Sequence, residues 1–393
     1  MKRPTVWITG VGAVSAAGVD VPLTLKGFAE GLRNPCATLP FPSNLHCHTF
    51  QAPTNLPCPA PWDHPSRTLQ LAGMAVNEAL SDAGLMGFAP GVPVGVCLGT
   101  TVASQLNSLP FYDAYRRMGE PSLQPVYDFL SANLSQAIAE RLKVHGPRMT
   151  VVNACSSGTD ALGIAASWIR AGLCDAAIAG GADELNQVPL AGFWSLGVMS
   201  MQPCAPFDGN RCGLNLGEGA GVVILESVAH AQARGRKPTI ELAGFGAGCD
   251  AHHLTAPHPQ GRGLHSAIQG AMAQANITPV QVAFVNAHGT ATMDNDRVEG
   301  TVLANIFGDR LPFLSTKGYT GHTFGAAGGL EAVFTVLGLR EHWIPASAGF
   351  STQALDIPIA PVRQTTAVHG ECALSTSLAF GGNNAAVLFR RRV

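Results

Sequence analysis

Apolar residues along the chain switch between two rhythms: short continuous runs that suit buried strands, and longer stretches in which they recur every third or fourth position. VWIT at 6–9 is a β-prone run followed by a Gly-punctuated turn, and it predicts a first core strand. SRTLQLAGMAVNEALSDAGL at 66–85 keeps its apolar residues at helix spacing up to Gly84, which predicts a helix ending there. PVGVCLGT at 93–100 predicts a buried strand, and MTVVNACSSG at 149–158 a strand running into a turn. TDALGIAASWIRAG continues as an Ala-rich helix closed by Gly172. AAIAGGADE and GAGVVILES predict further strands, separated by an irregular segment ending PCAPFDGNRCG. The stretch from about 34 to 66 is rich in proline and lacks periodicity, so it predicts an irregular excursion.

After ARGRKP at 233–238 the pattern begins again, with IELAGFGAG, the helix GRGLHSAIQGAMAQANI, the strand VAFVNAHGT and a long helix ending near Arg340. IELAGFGAG echoes TVWITGVGAVSAAG. Each half also places a chemically active residue just before an Ala/Gly-rich helix, Cys155 in the first and His322 in the second. Alternating strands and helices favour a parallel or mixed sheet covered by helices. The chain therefore reads as an α/β protein of two similar layered units, residues 1–235 and 236–393, meeting at a central site.

Composition narrows the function classes. The 393 residues are 46% hydrophobic and 13% charged with 45 glycines, which suits a large α/β protein with many tight junctions and argues against disorder. The formal charge is −2 from 24 basic and 26 acidic residues, with no basic block, so neither nucleic acid nor an anionic membrane is an expected partner. No apolar run reaches the ~18 residues of a membrane span. The N-terminal MKRPTVWITGVG reads as the start of a core strand rather than a signal segment, and the cytoplasm is the expected location.

Ten cysteines are too dilute for a disulfide scaffold, and none forms a CxxC pair. Cys36, Cys47 and Cys58 lie near His46, His48 and His64, but without the paired spacing of a structural zinc site, so no metal is expected there. GVGAVSAAG lacks GxGxxG spacing and GHTFGAAGG lacks a P-loop ending, so no nucleotide cofactor is expected either.

Cys155 is the candidate nucleophile. It follows an apolar strand and precedes a helix, where free helix N–H groups stabilise a thiolate, and Ser156, Ser157 and Gly158 leave room for a substrate. NAHGTAT at 286–292 and STKGYTGHTFGAAGG at 315–329 add His288, His322 and Lys317 as donors, proton carriers or fixed charge. Taken singly, each has a plain structural explanation: a buried small thiol, a strand-end His, a helix-capping His and a surface Lys.

Taken together with LAFGGNN at 378–384, PFDGNRCGLNLGEGAGVVILE and DAHHLTAPHPQG, these segments resemble the β-ketoacyl-acyl-carrier-protein synthases of type II fatty acid and polyketide systems. The resemblance is nearest to the elongating, decarboxylating branch with a Cys-His-His site, and it runs through nearly the whole chain. It implies a thiolase-like fold of five layers, α-β-α-β-α. It implies Cys155 as acyl acceptor, His288 and His322 as the paired histidines, Lys317 as the site lysine, Glu331 as the acid organising that lysine and Glu299 as its acidic companion. Phe380 matches a gating phenylalanine whose backbone N–H joins that of Cys155 in an oxyanion hole. Thr290 and Thr292 match positions that contact a phosphopantetheine arm. No cofactor or metal is implied on the chain itself, because the pantetheine arrives on an acyl carrier protein.

The implied reaction is decarboxylative Claisen condensation of a Cys155-bound acyl group with malonyl carrier protein, run by a homodimer or by a heterodimer with a related subunit. The alternative is a noncatalytic chain-length or carrier-binding partner, against which stands the presence of Cys155. Two departures are visible: AFGGNN stands where GFGGTN is common, so Ala379 and Asn383 are unusual, and an arginine that often receives the carrier is missing. Arg67, Arg116 and Arg117 are the candidates for a relocated contact.

Overall fold

The apolar runs fold as the strands of one hydrogen-bonded sheet whose two ends repeat each other. The computed structural model describes residues 4–56, 60–63, 66–85, 87–89, 91–101, 109–124, 126, 127 and 133–392. The first half contributes β1 (Val6–Ser15), β2 (Val94–Gly99), β3 (Arg148–Val151), β4 (Ala176–Asp183) and β5 (Gly219–Ser227). The second contributes β6 (Ile240–Cys249), β7 (Val282–Asn286), β8 (Phe313–Leu314), β9 (Cys372–Leu378) and β10 (Asn383–Arg391). Their order is β8-β7-β9-β10-β6-β1-β5-β4-β2-β3, so each half lists its strands identically outward from the centre. In both halves the inner pairs are antiparallel and the outer pairs parallel. The halves join where Trp7 faces Glu241 and Ile8 faces Ile240, β1 against β6.

Parallel neighbours need crossover connections, and helices supply them. Among the helices that flank the sheet are α1 (Arg67–Asp82), α2 (Leu134–Leu142), α3 (Ser157–Arg170), α4 (Gln187–Ser195), α5 (Arg262–Ala275), α6 (Met293–Phe307) and α7 (Ala327–Glu341). Ser66 caps α1 by accepting from the Leu69 N–H, and Gly84 beyond its end takes φ +67°, the two boundaries the sequence marks.

Side chains alternate across each strand, and both faces are buried. In β5, Val222 and Ile224 pack with α1 and α2, whereas Val223 and Leu225 pack with α3 and α7. In β10, Ala386 and Leu388 pack with α5 and α6, whereas Val387 and Phe389 join the cluster of α3 and α7. The layers therefore run α, β, α, β, α, the arrangement the resemblance implies, with α3 and α7 in the middle. Nearly all of α7 is buried, from Ala327 to Leu339.

The two middle helices touch at their N-terminal ends through glycine. A Cβ on Gly158 of α3 would sit 2.6 Å from the Gly329 N of α7 and 2.9 Å from the Gly325 O. This backbone contact brings the residues just before the two helices together. Gly158→Ala is expected to cost about 1–3 kcal/mol through overpacking and to spread the two helix starts. Denaturant midpoints check the first effect, and a lower acylation rate of Cys155 than the stability loss explains checks the second.

Candidate active site

Cys155 sits in the bend between β3 and α3, where Ala154 takes the left-handed conformation at φ +48° and turns the chain sharply toward the helix. The thiol is buried with 5% relative exposure. His322 precedes α7 and is pinned by backbone bonds: its N–H donates to Asn215 O at 2.8 Å and its C=O accepts from Gly217 N at 2.9 Å. Its Nε2 lies 3.0 Å from Cys155 Sγ. The His288 ring is 5.3 Å from that of His322 and nearly perpendicular at 87°. The sites that the two halves place before or beside their helices thus converge.

The hydrogen bonds determine which ring nitrogen carries the proton. The Phe324 N–H donates to His322 Nδ1 at 3.0 Å, so in the neutral ring the hydrogen is on Nε2, facing the thiol. Lys317 Nζ uses its three donors on His288 Nδ1 at 3.0 Å, on His288 O at 2.6 Å and on the Glu331 carboxylate. Nδ1 of His288 is therefore an acceptor, and its Nε2 carries the hydrogen. Burial and the Lys317 charge both hold the two histidines well below the usual imidazole range, so they stay neutral.

Glu299 holds the His288 turn in place. Its carboxylate accepts from the His288 N–H and the Gly289 N–H, each at 2.8 Å, and from Thr376 Oγ1 at 2.7 Å. Burial raises its pKa even so. Glu331 likewise is raised to about 7, by burial first, with Lys317 opposing. Thr290 and Thr292 have hydroxyls 2.9 Å apart. Both line a cavity of about 260 Å³ together with Cys155, His288, His322, Phe193 and Phe380.

The residues that the resemblance assigns to the site thus come together: Cys155, His288, His322, Thr290, Thr292 and Phe380 line the cavity, and Lys317, Glu331 and Glu299 stand behind His288. Phe380 lies in the turn between β9 and β10 and lines the cavity beside Cys155, where its backbone N–H and that of Cys155 work to lower the thiol's pKa. Its ring stacks on Phe193 of α4 at 5.4 Å.

The sequence did not single out several supporting groups. Asp296 accepts from the backbone N–H groups of Phe207, at 2.6 Å, and Thr290, at 2.9 Å. Asp183 accepts from Thr100 Oγ1 at 2.6 Å and from the Gly325 N–H at 2.7 Å, joining β4 to the start of α7. The signal for Asp183 was a carboxylate at the end of an otherwise apolar strand.

Among the carrier-contact candidates, Arg67 is occupied by an ion pair with Glu218 at 2.8 Å and by the carbonyls of Ala52 and Pro53. Arg116 and Arg117 lie in the last turn of the helix Leu109–Met118, exposed, with Arg117 paired to Asp113 at 3.1 Å. Cys47 is buried and Cys36 half-buried, while Cys58 and His64 lie outside the described residues.

Among the described residues, the metal-type grouping is Cys155, His288 and His322, with ligand atoms within 4.8 Å of one another. Their fit to a metal is poor, because both histidines present N–H rather than a lone pair to the cavity. The same N–H groups suit a developing oxygen anion. Among the described residues no helix is long and apolar enough to cross a membrane.

Burial pushes the Cys155 thiol up to about 11, against the Lys317 charge and the two N–H groups. The thiol of the free protein is therefore protonated across the physiological range. Its alkylation by iodoacetamide is expected to rise about tenfold per pH unit from pH 7 to 10 without a plateau, because only the thiolate reacts. Peptide mapping at Cys155 checks this, and a plateau near pH 8 contradicts it.

Comparison with known proteins gives the same picture. The family description "Beta-ketoacyl synthase, N-terminal domain" matches residues 63–231, and "Beta-ketoacyl synthase, C-terminal domain" matches 239–351. A 3-oxoacyl-[acyl-carrier-protein] synthase 2 of Staphylococcus aureus (strain COL) is 32% identical, over 99% of each chain. The solved structure of the ishigamide ketosynthase/chain length factor superposes with a TM-score of 0.92 at 28% identity, over 100% of both chains. A ketosynthase from Xenorhabdus doucetiae, in complex with its chain length factor, gives 0.86 at 30% identity over 99% of this chain and 98% of that one. With two family descriptions that span most of its length and full-length relatives of this similarity, the chain belongs to the beta-ketoacyl synthase family and is an enzyme of the condensing, acyl-transferring class.

Proposed function

We propose that the enzyme extends an acyl chain by condensing it, on Cys155, with a malonyl group delivered by an acyl carrier protein, and that residues 1–235 and 236–393 are the two units whose meeting makes the site. In the first step the Cys155 sulfur attacks the carrier thioester, the bond to the carrier sulfur breaks, the proton given up by the Cys155 thiol ends on the departing carrier sulfur, and the acyl group remains on Cys155. The N–H groups of Cys155 and Phe380 hold the oxygen that becomes negative, and the His322 Nε2–H, the N-terminus of α3 and Lys317 favour the thiolate.

In the second step malonyl carrier protein enters with its pantetheine arm along Thr290 and Thr292. The C–C bond to the carboxylate breaks, carbon dioxide leaves, and the electron pair is held as an enolate whose oxygen accepts from Nε2–H of His288 and of His322. The enolate carbon attacks the acyl carbon, Cys155 departs as thiolate, and the β-ketoacyl chain leaves on the carrier, two carbons longer. Lys317 acts from behind: its hydrogen bond to Nδ1 keeps the His288 donor pointed at the enolate, and Glu331 balances its charge.

The observation that carries this reading is the pair of neutral imidazoles whose Nε2–H groups share one cavity with the thiol. Such a pair has little use in a protease-like pair, where the imidazole must remove the thiol proton. A carrier protein as partner is supported by the name of the Staphylococcus aureus relative, and a second, related subunit by the two solved ketosynthases that carry a chain length factor in their descriptions. The cytoplasm is the proposed location.

Incubation with a panel of acyl carrier thioesters, read by intact-protein and active-site-peptide mass spectrometry, tests the proposal. Acylation at Cys155, followed by a β-keto product two carbons longer on addition of malonyl carrier protein, is the expected result. Folded protein that takes no acyl group from any carrier, alone or with a chain-length subunit, overturns it in favour of a noncatalytic partner.

A further inference from the structure

The turn that carries Phe380 and the bend that carries Cys155 are bound to each other by side chains. Asn383 Nδ2 donates to Asn153 Oδ1 at 2.6 Å, across 230 residues of sequence. Asn153 Nδ2 donates to Asp160 Oδ2 at 2.7 Å, and Ser156 Oγ donates to the same oxygen at 2.8 Å. The carboxylate sets the direction of the whole chain: it only accepts, so the NH2 of Asn153 must face Asp160, its oxygen must face Asn383, and Asn383 must donate. Both ends are anchored in backbone that matters for the reaction. The Asn153 N–H donates to Ser157 Oγ at 2.8 Å in the Cys155 bend, and the Ala379 N–H donates to the Asn383 C=O at 2.7 Å, closing the turn around Phe380.

We propose that Asn383 is a positioning residue for the acylation step: through Asn153 and Asp160 its amide fixes the Phe380 N–H against the Cys155 thiol and holds the Phe380 ring over the cavity. The inference rests on the roles given above to Cys155 and Phe380. Threonine, which the resembling pattern places here, ends one bond shorter and would fall short of Asn153. Without the side-chain link to the Cys155 bend, the turn is still tied to the segment 250–254 by bonds from Gly381 N to Leu254 O at 2.7 Å and from Asp250 N to Gly382 O at 2.8 Å, and within itself by Asn384 Nδ2 to Gly382 O at 2.9 Å, none of which reaches Asn153. The turn then opens more often, with two consequences of opposite sign. Small reagents reach the thiol more easily, and the Phe380 N–H is in place for a smaller fraction of the time.

The test compares wild type with Asn383→Ala, Asn383→Thr, Asn153→Ala and the double alanine variant, as full-length chains at one pH. Iodoacetamide labelling is followed at Cys155 and, as an internal control, at fully buried Cys97, and acylation is followed from an acyl carrier thioester. Each single variant is expected to label at Cys155 about tenfold faster and to acylate about tenfold more slowly, the effect of losing one partly buried hydrogen bond. Labelling at Cys97 is unchanged, and the double variant is no worse than the singles because they cut one chain. Unchanged labelling and acylation overturn the proposal. So does faster labelling at both cysteines, which would mark a loosened fold rather than a freed turn. If the wild type takes no acyl group at all, the role of Cys155 fails, and the labelling rates still report whether Asn383 holds the turn.

Discussion

Cys155→Ala is expected to abolish the acyl-enzyme and to lower chain extension by about 10⁴-fold or more, the scale seen when a nucleophile is deleted from a site whose parts act as a unit. In the proposed mechanism both halves of the reaction pass through this sulfur, and among the residues lining the cavity the alternative thiol, Cys212, is exposed and not bonded to either histidine. Release of carbon dioxide from malonyl carrier protein is expected to behave differently. In the proposed mechanism the enolate is held by Nε2–H of His288 and His322, and neither donor is oriented by the thiol: the Phe324 N–H sets one and Lys317 the other. The alanine variant should therefore still decarboxylate while failing to extend, whereas His288→Ala should lose decarboxylation by about 10²-fold. Carbon dioxide release and product mass measured in the same assay separate the two. Extension surviving at a tenth of the wild-type rate in Cys155→Ala, or decarboxylation lost together with extension, would contradict the assignment.

The residues that perform chemistry were legible in the sequence because each lies at a punctuation mark. Cys155 stands between an apolar strand and an Ala-rich helix, His322 before a Gly-rich helix, and His288 at the end of VAFVN. The repeat was legible as well, because β1 and β6 carry similar Gly-interrupted runs and occupy equivalent places at the centre of the sheet. What local pattern does not encode is which distant groups hold these residues. The Asn383 to Asn153 contact spans 230 residues and that of Thr376 to Glu299 spans 77. Each depends on two strands or turns arriving side by side, which is a property of strand order rather than of neighbouring residues. The antiparallel hairpin β9 and β10 escaped for a related reason. LAFGGNN drew attention as chemistry, but CALSTSL alternates small apolar and hydroxyl residues, and it is buried on both faces in a way that weakens the period-two signal. Arg67 shows the reverse case, a charged residue that sequence alone leaves free for a partner and that folding commits to Glu218.

Lys317→Met is expected to destabilise the protein by about 3–5 kcal/mol at alkaline pH, because it leaves Glu331 as an unpaired charge in the buried part of α7. The pH dependence follows from the direction of the Glu331 shift. Its folded pKa, about 7, lies above the ordinary 4.5, so its contribution to stability is fully present below about 4.5 and is lost as pH rises through about 7. Lys317 is the group opposing that rise, and without it the folded pKa climbs further. The variant therefore loses more stability, relative to wild type, at pH 9 than at pH 6. The two histidines act in the opposite sense: their folded pKa values are depressed, so their contribution is present above about 6.5 and lost as pH falls. Denaturant midpoints across this range, with Glu331→Gln as reference, separate the terms, since the amide removes the loss on the alkaline side alone. The double variant Lys317→Met/Glu331→Gln should recover most of the stability, having no buried charge to leave unpaired. It should not recover activity. His288 Nδ1 then has no lysine hydrogen bond, the ring can place its hydrogen on either nitrogen, and one enolate donor is no longer held in place, which is expected to cost about 10² in decarboxylation. A double variant that regains both stability and decarboxylation would show that Lys317 serves only to neutralise Glu331.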